Sequence, residues 1–493
     1  MKKVRLLLPL LALPLLLLLL RLPAALSVDA GQLANGAAFE PAGCWFGVPL
    51  TRRVECGFVT TRGAQGQGRH RLPVVIVRDS WFGNDTSPVV FIQGGPGGAA
   101  GLDAVTMEWW LEDIERYDWG RDFVLYDQRG TGLAQPSLAC PEVLEGIRRD
   151  LQLVLRPDEE NARYLGYLRA CHDRLRGEGH RLDDYSTAAN SDDLADIMHL
   201  VQPGSWTLYA ASYGTRVALE TERRHPQQVR DMVLDSVYPH DKDGFLSWPA
   251  ILARGVDRVL EHGGRESLKP VLAELMQRLD VEPLRLPVTR YSGEAYTPVL
   301  TGTRLYMALF GATYSSDMIG HIAPVISDLA AGGSRSKALT EVVTFAVELE
   351  LDTTFSEPVF HSVSCREDQV RRESDYLAEV ETHARASPQL RRMLLDHSPA
   401  DVCAFWESGR APAGFREPVV TGKPVLLLGG ELDAITPVQW AREMHEYLPQ
   451  SRLVVVPGGG HAVTVTDVCT MALARDFLAD PAAALPMQCN GDG

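Results

Sequence analysis

Ser205-Trp206-Thr207-Leu208-Tyr209-Ala210-Ala211-Ser212-Tyr213-Gly214-Thr215 is the stretch that decides the fold. It opens as an apolar, β-like run and breaks at small residues, after which Arg216-Val-Ala-Leu-Glu-Thr-Glu-Arg-Arg reads as a helix. A strand, a tight turn and a helix in that order let a strained serine lift its hydroxyl out of a sheet edge. Ser212 is therefore the candidate nucleophile.

Outward from this point the chain alternates short apolar runs with helical patterns, the signature of a parallel sheet with crossover helices. The predicted strands are Val74–Val77, Pro88–Gln93, Asp122–Asp127, Trp206–Ala210, Val229–Leu234, Pro424–Leu428 and Arg452–Val456. The alternation stops between Tyr238 and about Val419, where amphipathic helical stretches such as Ala250–Glu261 and Leu268–Leu279 take over. An insertion between two parts of one sheet follows. The expected layout is a signal segment at 1–30, a first core part at 31–238, a helical cap at 239–418 and a second core part at 419–493. Asp433 and His461 each lie just past a late strand. The order Ser…Asp…His is that of the α/β-hydrolases, so the predicted fold is a mostly parallel sheet flanked by helices, with an inserted, mainly helical cap.

A serine hydroxyl needs a base to take its proton, and the base needs a carboxylate to fix its tautomer. His461 is the expected base, because it alone among the 13 histidines follows an apolar strand through a glycine run, Val455-Val456-Pro457-Gly458-Gly459-Gly460. Asp433, in Gly430-Glu431-Leu432-Asp433, is the expected acid, with Glu431 the fallback; His445 reads as a surface residue of a helix. An oxyanion hole needs two backbone N–H groups. They are expected from Tyr213 and from Gly94 or Gly95 in Gln93-Gly94-Gly95-Pro96-Gly97-Gly98. That loop lacks the Lys-Ser/Thr of a phosphate-binding loop. Gln93, and Asp127 and Arg129 of Asp127-Gln128-Arg129-Gly130-Thr131-Gly132, are expected to shape the site floor through buried Arg–Asp pairing rather than to react.

The chain ends suggest export. Lys2, Lys3 and Arg5 precede the apolar run Leu6–Leu20, and small residues follow to Ala30. This is the pattern of a secretory signal, too short to span a bilayer, so no stable membrane insertion is expected once it is cleaved. The net charge is −16; residues 1–30 carry +3, leaving about −19 for the rest. So acidic a surface repels nucleic acid and anionic membrane. Cys44, Cys56, Cys140, Cys171, Cys365, Cys403, Cys469 and Cys489 fall into sequential pairs 12, 31, 38 and 20 residues apart. An even count in an exported chain predicts disulfides, paired nearest neighbour with nearest neighbour. Close Cys/His clusters are missing, so neither a metal nor another cofactor is expected. The predicted localisation is periplasmic or extracellular.

Taken together, Gly-Gly-Pro-Gly at 94–97, Asp-Gln-Arg-Gly-x-Gly at 127–132, Ala-Ser-Tyr-Gly-Thr-Arg at 211–216, Gly-x-x-Asp-x-x-Thr-Pro at 430–437 and Gly-Gly-His at 459–461 resemble the prolyl and tripeptidyl aminopeptidase group of α/β-hydrolase serine peptidases. Cys44, Cys56 and Cys140 also look like cysteines of the secreted tripeptidyl-aminopeptidase-like branch. The resemblance implies a cap and hydrolysis at the free N-terminus of short peptides. Ala210, Gln93 and Ala462 depart from it, standing where the group usually has Gly, His and often Gly. Cys365-Arg366-Glu367-Asp368 resembles a Cys-x-Glu-Asp stretch of related enzymes, and Glu367, then Asp368, is the expected partner of a substrate ammonium. The rival readings are an esterase or lipase of small acyl esters on the same fold, and a catalytically silent binding protein.

Overall fold

The computed structural model describes residues 28–62, 70–81, 86–368, 373–483 and 489. Residues 1–27, most of the expected signal segment, lie outside them. A ten-stranded sheet runs in the order β1-β2-β3-β4-β6-β5-β7-β8-β13-β14. Its strands are β1 (Gly31–Gln32), β2 (Ala38–Ala42), β3 (Arg53–Thr60), β4 (Arg71–Arg78), β5 (Val89–Ile92), β6 (Phe123–Tyr126), β7 (Trp206–Ala211), β8 (Val229–Asp235), β13 (Val425–Gly430) and β14 (Ser451–Val456). From β6 to β14 the neighbours are parallel, while β1 to β4 form an antiparallel flank that joins β6.

The two faces of the sheet are set by period-two alternation. Val74, Ile76, Val90, Ile92, Leu208, Ala210, Met232, Leu234, Val425 and Leu427 face one core. Val75, Val77, Val89, Phe91, Tyr209, Ala211, Val233, Leu426 and Leu428 face the other. Burial on both faces explains why the parallel strands read as continuous apolar runs. Each fully buried Val or Leu contributes roughly 1.5–3 kcal/mol relative to exposure.

Helices α1 (Ala104–Tyr117), α2 (Pro141–Asp150), α3 (Pro157–Gly177), α4 (Thr187–Val201) and α5 (Tyr213–Arg224) connect the first strands. Asp103 and Ser186 cap α1 and α4 by accepting backbone N–H bonds. Between β8 and β13 the chain leaves the main sheet for a cap. Its longer helices include α6 (Gly244–His262), α7 (Leu268–Val281), α8 (Gly302–Gly311), α9 (Lys337–Glu350) and α10 (Glu357–Glu367). The cap also holds two small two-stranded sheets, β9 (Leu284–Arg285) with β12 (Val299–Leu300) and β10 (Val288–Thr289) with β11 (Ala295–Tyr296). Strands of two residues carry no alternation, and the sequence reading missed them. It also missed β1 to β3. Among the described residues, no helix is long and apolar enough to cross a membrane.

All eight cysteines are joined as Cys44–Cys56, Cys140–Cys171, Cys365–Cys403 and Cys469–Cys489, the nearest-neighbour pattern expected from their spacing.

Candidate active site

The parallel strands deliver their loops to one edge of the sheet, the place where open α/β sheets hold ligands. Ser212 sits between β7 and α5 with φ 55° and ψ −127°, a strained conformation for a residue with a side chain. It is held there from both sides. Its N–H donates to the Asp235 carbonyl at 2.9 Å, and its own carbonyl accepts from the Thr215 N–H and hydroxyl at 2.9 and 2.6 Å. The turn also needs bare backbone. A Cβ on Gly214 would come within 2.1 Å of the Ile92 carbonyl oxygen, and one on Gly94 within 2.8 Å of the Ser212 Cβ. Ala210 is fully buried in β7, opposite Ile92 and Leu234, so the strand accommodates its methyl group.

Asp433 and His461 meet. Asp433 Oδ2 lies 2.9 Å from His461 Nδ1 and accepts from the Thr436 hydroxyl at 2.8 Å; Oδ1 accepts from the N–H groups of Ile435 and Thr436 at 2.8 and 2.9 Å. The carboxylate is completely buried, and these bonds fix its orientation. Burial alone would pull the His461 imidazole down. The charge and hydrogen bond of Asp433, with Asp235 behind, more than offset this and leave it above its ordinary value. With Nδ1 turned to Asp433, Nε2 is the nitrogen free to act. Ser212 and His461 line one cavity of about 790 Å³, together with Gln93, Gly94 and Gly95. The fallback acid, Glu431, points elsewhere, accepting from the Gly458 N–H, and His445 is a surface residue.

The turn after His461 is pinned by a residue that the sequence reading passed over. Asp235, at the end of β8, accepts from the N–H groups of Val463 and Thr464 and from the Thr464 hydroxyl at 3.3, 2.8 and 2.6 Å. The Ser236 hydroxyl accepts from the Ala462 N–H at 2.8 Å. Ala462 itself has φ 54°, the left-handed conformation for which the related motif supplies glycine.

Three expectations change. The Gly94 N–H is taken at 2.8 Å by the Gln93 side-chain oxygen, so it is not the free oxyanion donor; the Gly95 N–H has no partner among the described residues. Arg129 does pair with a buried aspartate, but the partner is Asp193, in two bonds of 2.8 and 2.7 Å. Asp127 instead accepts the N–H groups of Ala100 and Leu133, and burial raises its pKa to about 6. The third correction concerns Glu367 and Asp368, which do not border the cavity. Glu367 accepts the N–H and hydroxyl of Thr187 at 2.7 and 2.6 Å, and Asp368 binds Arg216 and the Tyr238 hydroxyl at 3.0 and 2.7 Å. Both side chains are bonded within the fold and buried.

The carboxylates that do line the cavity are Glu350, Asp352 and Glu357, from the end of α9 to the start of α10. Glu350 lines the cavity at the exposed end of α9, among other charged side chains. This surrounding, with Glu160 and Glu357 near and Arg304 opposing, raises its pKa to about 7. Arg304 is already occupied by Glu160 and by carbonyls including those of Leu151 and Val299. Much of the remaining wall is apolar, from α2 (Val143, Leu144, Ile147), α8 (Met307) and α9 (Val343, Val347).

A strained serine at a strand–helix turn, a buried acid–imidazole pair on the next strand ends and a helical cap over both define an α/β-hydrolase. The likeness narrows further, to the tripeptidyl aminopeptidase group. Residues 389–488, which include Asp433 and His461, match the family model of the TAP-like protein. The chain is 25% identical over 460 residues to a tripeptidyl aminopeptidase of Streptomyces coelicolor, covering 84% of this chain and 79% of the relative. It is 25% identical over 463 residues, with the same coverage, to a tripeptidyl aminopeptidase of Streptomyces lividans. Among solved structures, proline iminopeptidase of Mycobacterium smegmatis aligns with 83% of this chain and 95% of its own at 15% identity and a TM-score of 0.37. The chain has the α/β-hydrolase fold and is similar in sequence to these aminopeptidases.

Proposed function

We propose that the protein is an exported serine exopeptidase that releases residues or short peptides from the free N-terminus of peptides through a Ser-His-Asp acyl-enzyme. The observation that carries this reading is the strained Ser212 sharing one cavity with the His461–Asp433 pair. The similarity to tripeptidyl aminopeptidases supports the substrate class. Four disulfides support export, since such bonds persist in oxidising compartments.

In this mechanism Ser212 Oγ attacks the scissile carbonyl carbon while His461 Nε2 takes the hydroxyl proton. Asp433 stabilises the imidazolium without itself accepting the proton. The developing oxyanion receives the N–H groups of Tyr213 and Gly95. The C–N bond then breaks, His461 returns the proton to the leaving amine, and water repeats the sequence on the acyl-enzyme. The substrate ammonium pairs with the cavity carboxylates, Glu350 first and Glu357 second, in place of Glu367 and Asp368. Glu350, Asp352 and Glu357 line this wall, and its one arginine, Arg304, is already bonded to Glu160, so acidic groups outnumber basic ones there.

The apolar wall also suits a small acyl ester, and an esterase is the second reading. A tripeptidyl amide, its N-acetylated form and a short fatty-acyl ester, compared on one preparation, decide between them. Preference for the free-amine peptide supports the peptidase; equal turnover of acetylated and free peptides, or turnover of the ester alone, sinks it.

A further inference from the structure

A buried chain of hydrogen bonds joins the two turns that carry the proposed oxyanion donors. At one end, Gln128 Nε2 donates to the Gln93 carbonyl at 2.7 Å, beside Gly94 and Gly95. Gln128 Oε1 accepts from Asn190 Nδ2 at 2.7 Å, and the same Asn190 nitrogen donates to the Tyr213 hydroxyl at 3.3 Å. The Tyr213 hydroxyl lies 2.9 Å from the Thr187 hydroxyl, which lies 2.6 Å from Glu367 Oε2. Gln128, Thr187, Asn190, Tyr213 and Glu367 are all buried.

The direction of every bond follows from the two ends. The Gln93 carbonyl can only accept, so Gln128 must present its amide nitrogen there and its oxygen to Asn190. At the other end Glu367, when ionised, can only accept, so Thr187 donates to it and Tyr213 donates to Thr187. The Tyr213 hydroxyl then accepts from Asn190, whose two amide hydrogens serve both arms. Burial raises the Glu367 pKa to about 7, and this arrangement is the one that its ionised form dictates. Asn190 Oδ1 is a buried acceptor without a partner among the described residues, while the other polar atoms named here form one continuous run of bonds that restrains both turns.

We propose that Glu367 is a positioning residue, which acts from the cap through Thr187, Tyr213, Asn190 and Gln128 to hold both oxyanion turns in register. This inference rests on the serine-hydrolase reading above. Glu367 touches neither substrate nor Ser212; it sets the Tyr213 ring, and with it the backbone from which the Tyr213 N–H projects. Oxyanion donors act through placement, and loss of one whole donor costs roughly 100- to 1000-fold in kcat. Displacement of a donor should therefore appear in kcat and spare KM.

The test is steady-state kinetics on Thr187→Val, Thr187→Ser, Glu367→Gln and Tyr213→Phe, each with a thermal melt. Thr187→Val removes the relaying hydroxyl at nearly constant volume; Thr187→Ser keeps it. The proposal expects kcat to fall roughly 10- to 100-fold in the Val, Gln and Phe variants, short of a whole donor's loss, with KM changed less than about threefold. Thr187→Ser should stay within about threefold of the parent. Folded Val and Phe variants that keep kcat within about threefold would overturn it. So would a Thr187→Ser variant as impaired as Thr187→Val, because bulk and not the hydroxyl would then matter. If Glu367→Gln does not fold, the Val and Phe variants test the same chain from its other members. Ser212→Ala, assayed alongside, keeps the two ideas apart: an active Ser212→Ala sinks the nucleophile, whereas an inactive one beside unaffected relay variants sinks only the positioning role.

Discussion

Asp368 closes on Arg216 at 3.0 Å, and the two charges, one from the end of cap helix α10 and one from α5 behind the serine turn, are sealed from solvent together. The guanidinium also lies 3.6 Å over the Tyr238 ring and donates to the carbonyls of Pro239 and Lys242 at 3.0 and 2.7 Å. An acidic residue that reads as a substrate hook is thus a fastening between cap and core. Removing one partner of such a pair leaves the other buried and uncompensated, which costs about 3–5 kcal/mol. Asp368→Asn should lower stability by that amount in a denaturant titration. A change below about 1 kcal/mol would contradict the fastening role.

Ser212→Ala and His461→Ala should each fold as the parent does and lose turnover by orders of magnitude, and the double variant should lose little more, because triad members act as a unit. Single-variant activity within tenfold of the parent would end the triad assignment.

The pH profile carries the sign of the His461 shift. Protonated His461 cannot accept from Ser212, so kcat/KM should be low in acid and rise as pH passes the imidazole pKa. That pKa stands above the ordinary value of about 6.5 because Asp433 more than offsets burial. The acid limb should therefore lie above that value, and Asp433→Asn should move it below while lowering kcat about 10⁴-fold. An acid limb that does not move in Asp433→Asn would assign it to another group.

Glu350→Gln should raise KM for peptides with a free N-terminus by roughly 1.5–3 kcal/mol, the range of a hydrogen bond to a charged group. Turnover of a neutral ester should scarcely change. Because the free carboxyl titrates near about 7, ammonium binding should strengthen as pH rises through that point. Equal losses on ester and peptide would mean that Glu350 supports the cavity wall and not the ammonium.

Ala462→Gly relieves a left-handed residue with a side chain, which costs roughly 1–2 kcal/mol, against a Gly entropy cost of about 0.5–1 kcal/mol. A melting temperature equal to or slightly above the parent's is expected; a clear drop would show that the Ala462 methyl is needed.

Legibility followed the range of the signal. Strands buried on both faces announce themselves as apolar runs, so the strand-end positions of Ser212, Asp433 and His461, and their gathering at one edge of the sheet, could be read from their neighbours. Disulfide pairing was legible because each pair is local. The partners of Glu367, Asp368, Gln128 and Asn190 lie far along the chain: Glu367 reaches Thr187 across 180 residues and Asp368 reaches Arg216 across 152. No local pattern encodes such a meeting, and a carboxylate looks the same in sequence whether it waits for a ligand or is already bonded. Glu350 was missed for the opposite reason. At the end of an ordinary amphipathic helix it reads as a solvated residue, and only the fold turns it toward the cavity.

The four disulfides have a mechanical consequence. Cys44–Cys56, Cys140–Cys171 and Cys469–Cys489 each stay within the sheet-bearing part, and Cys365–Cys403 stays within the insertion. Sulfur therefore stiffens roof and floor separately and nowhere rivets one to the other. The seam between them is closed by the buried Arg216–Asp368 and Thr187–Glu367 bonds and by others of their kind. In a fully oxidised molecule that seam is therefore held by noncovalent contacts alone.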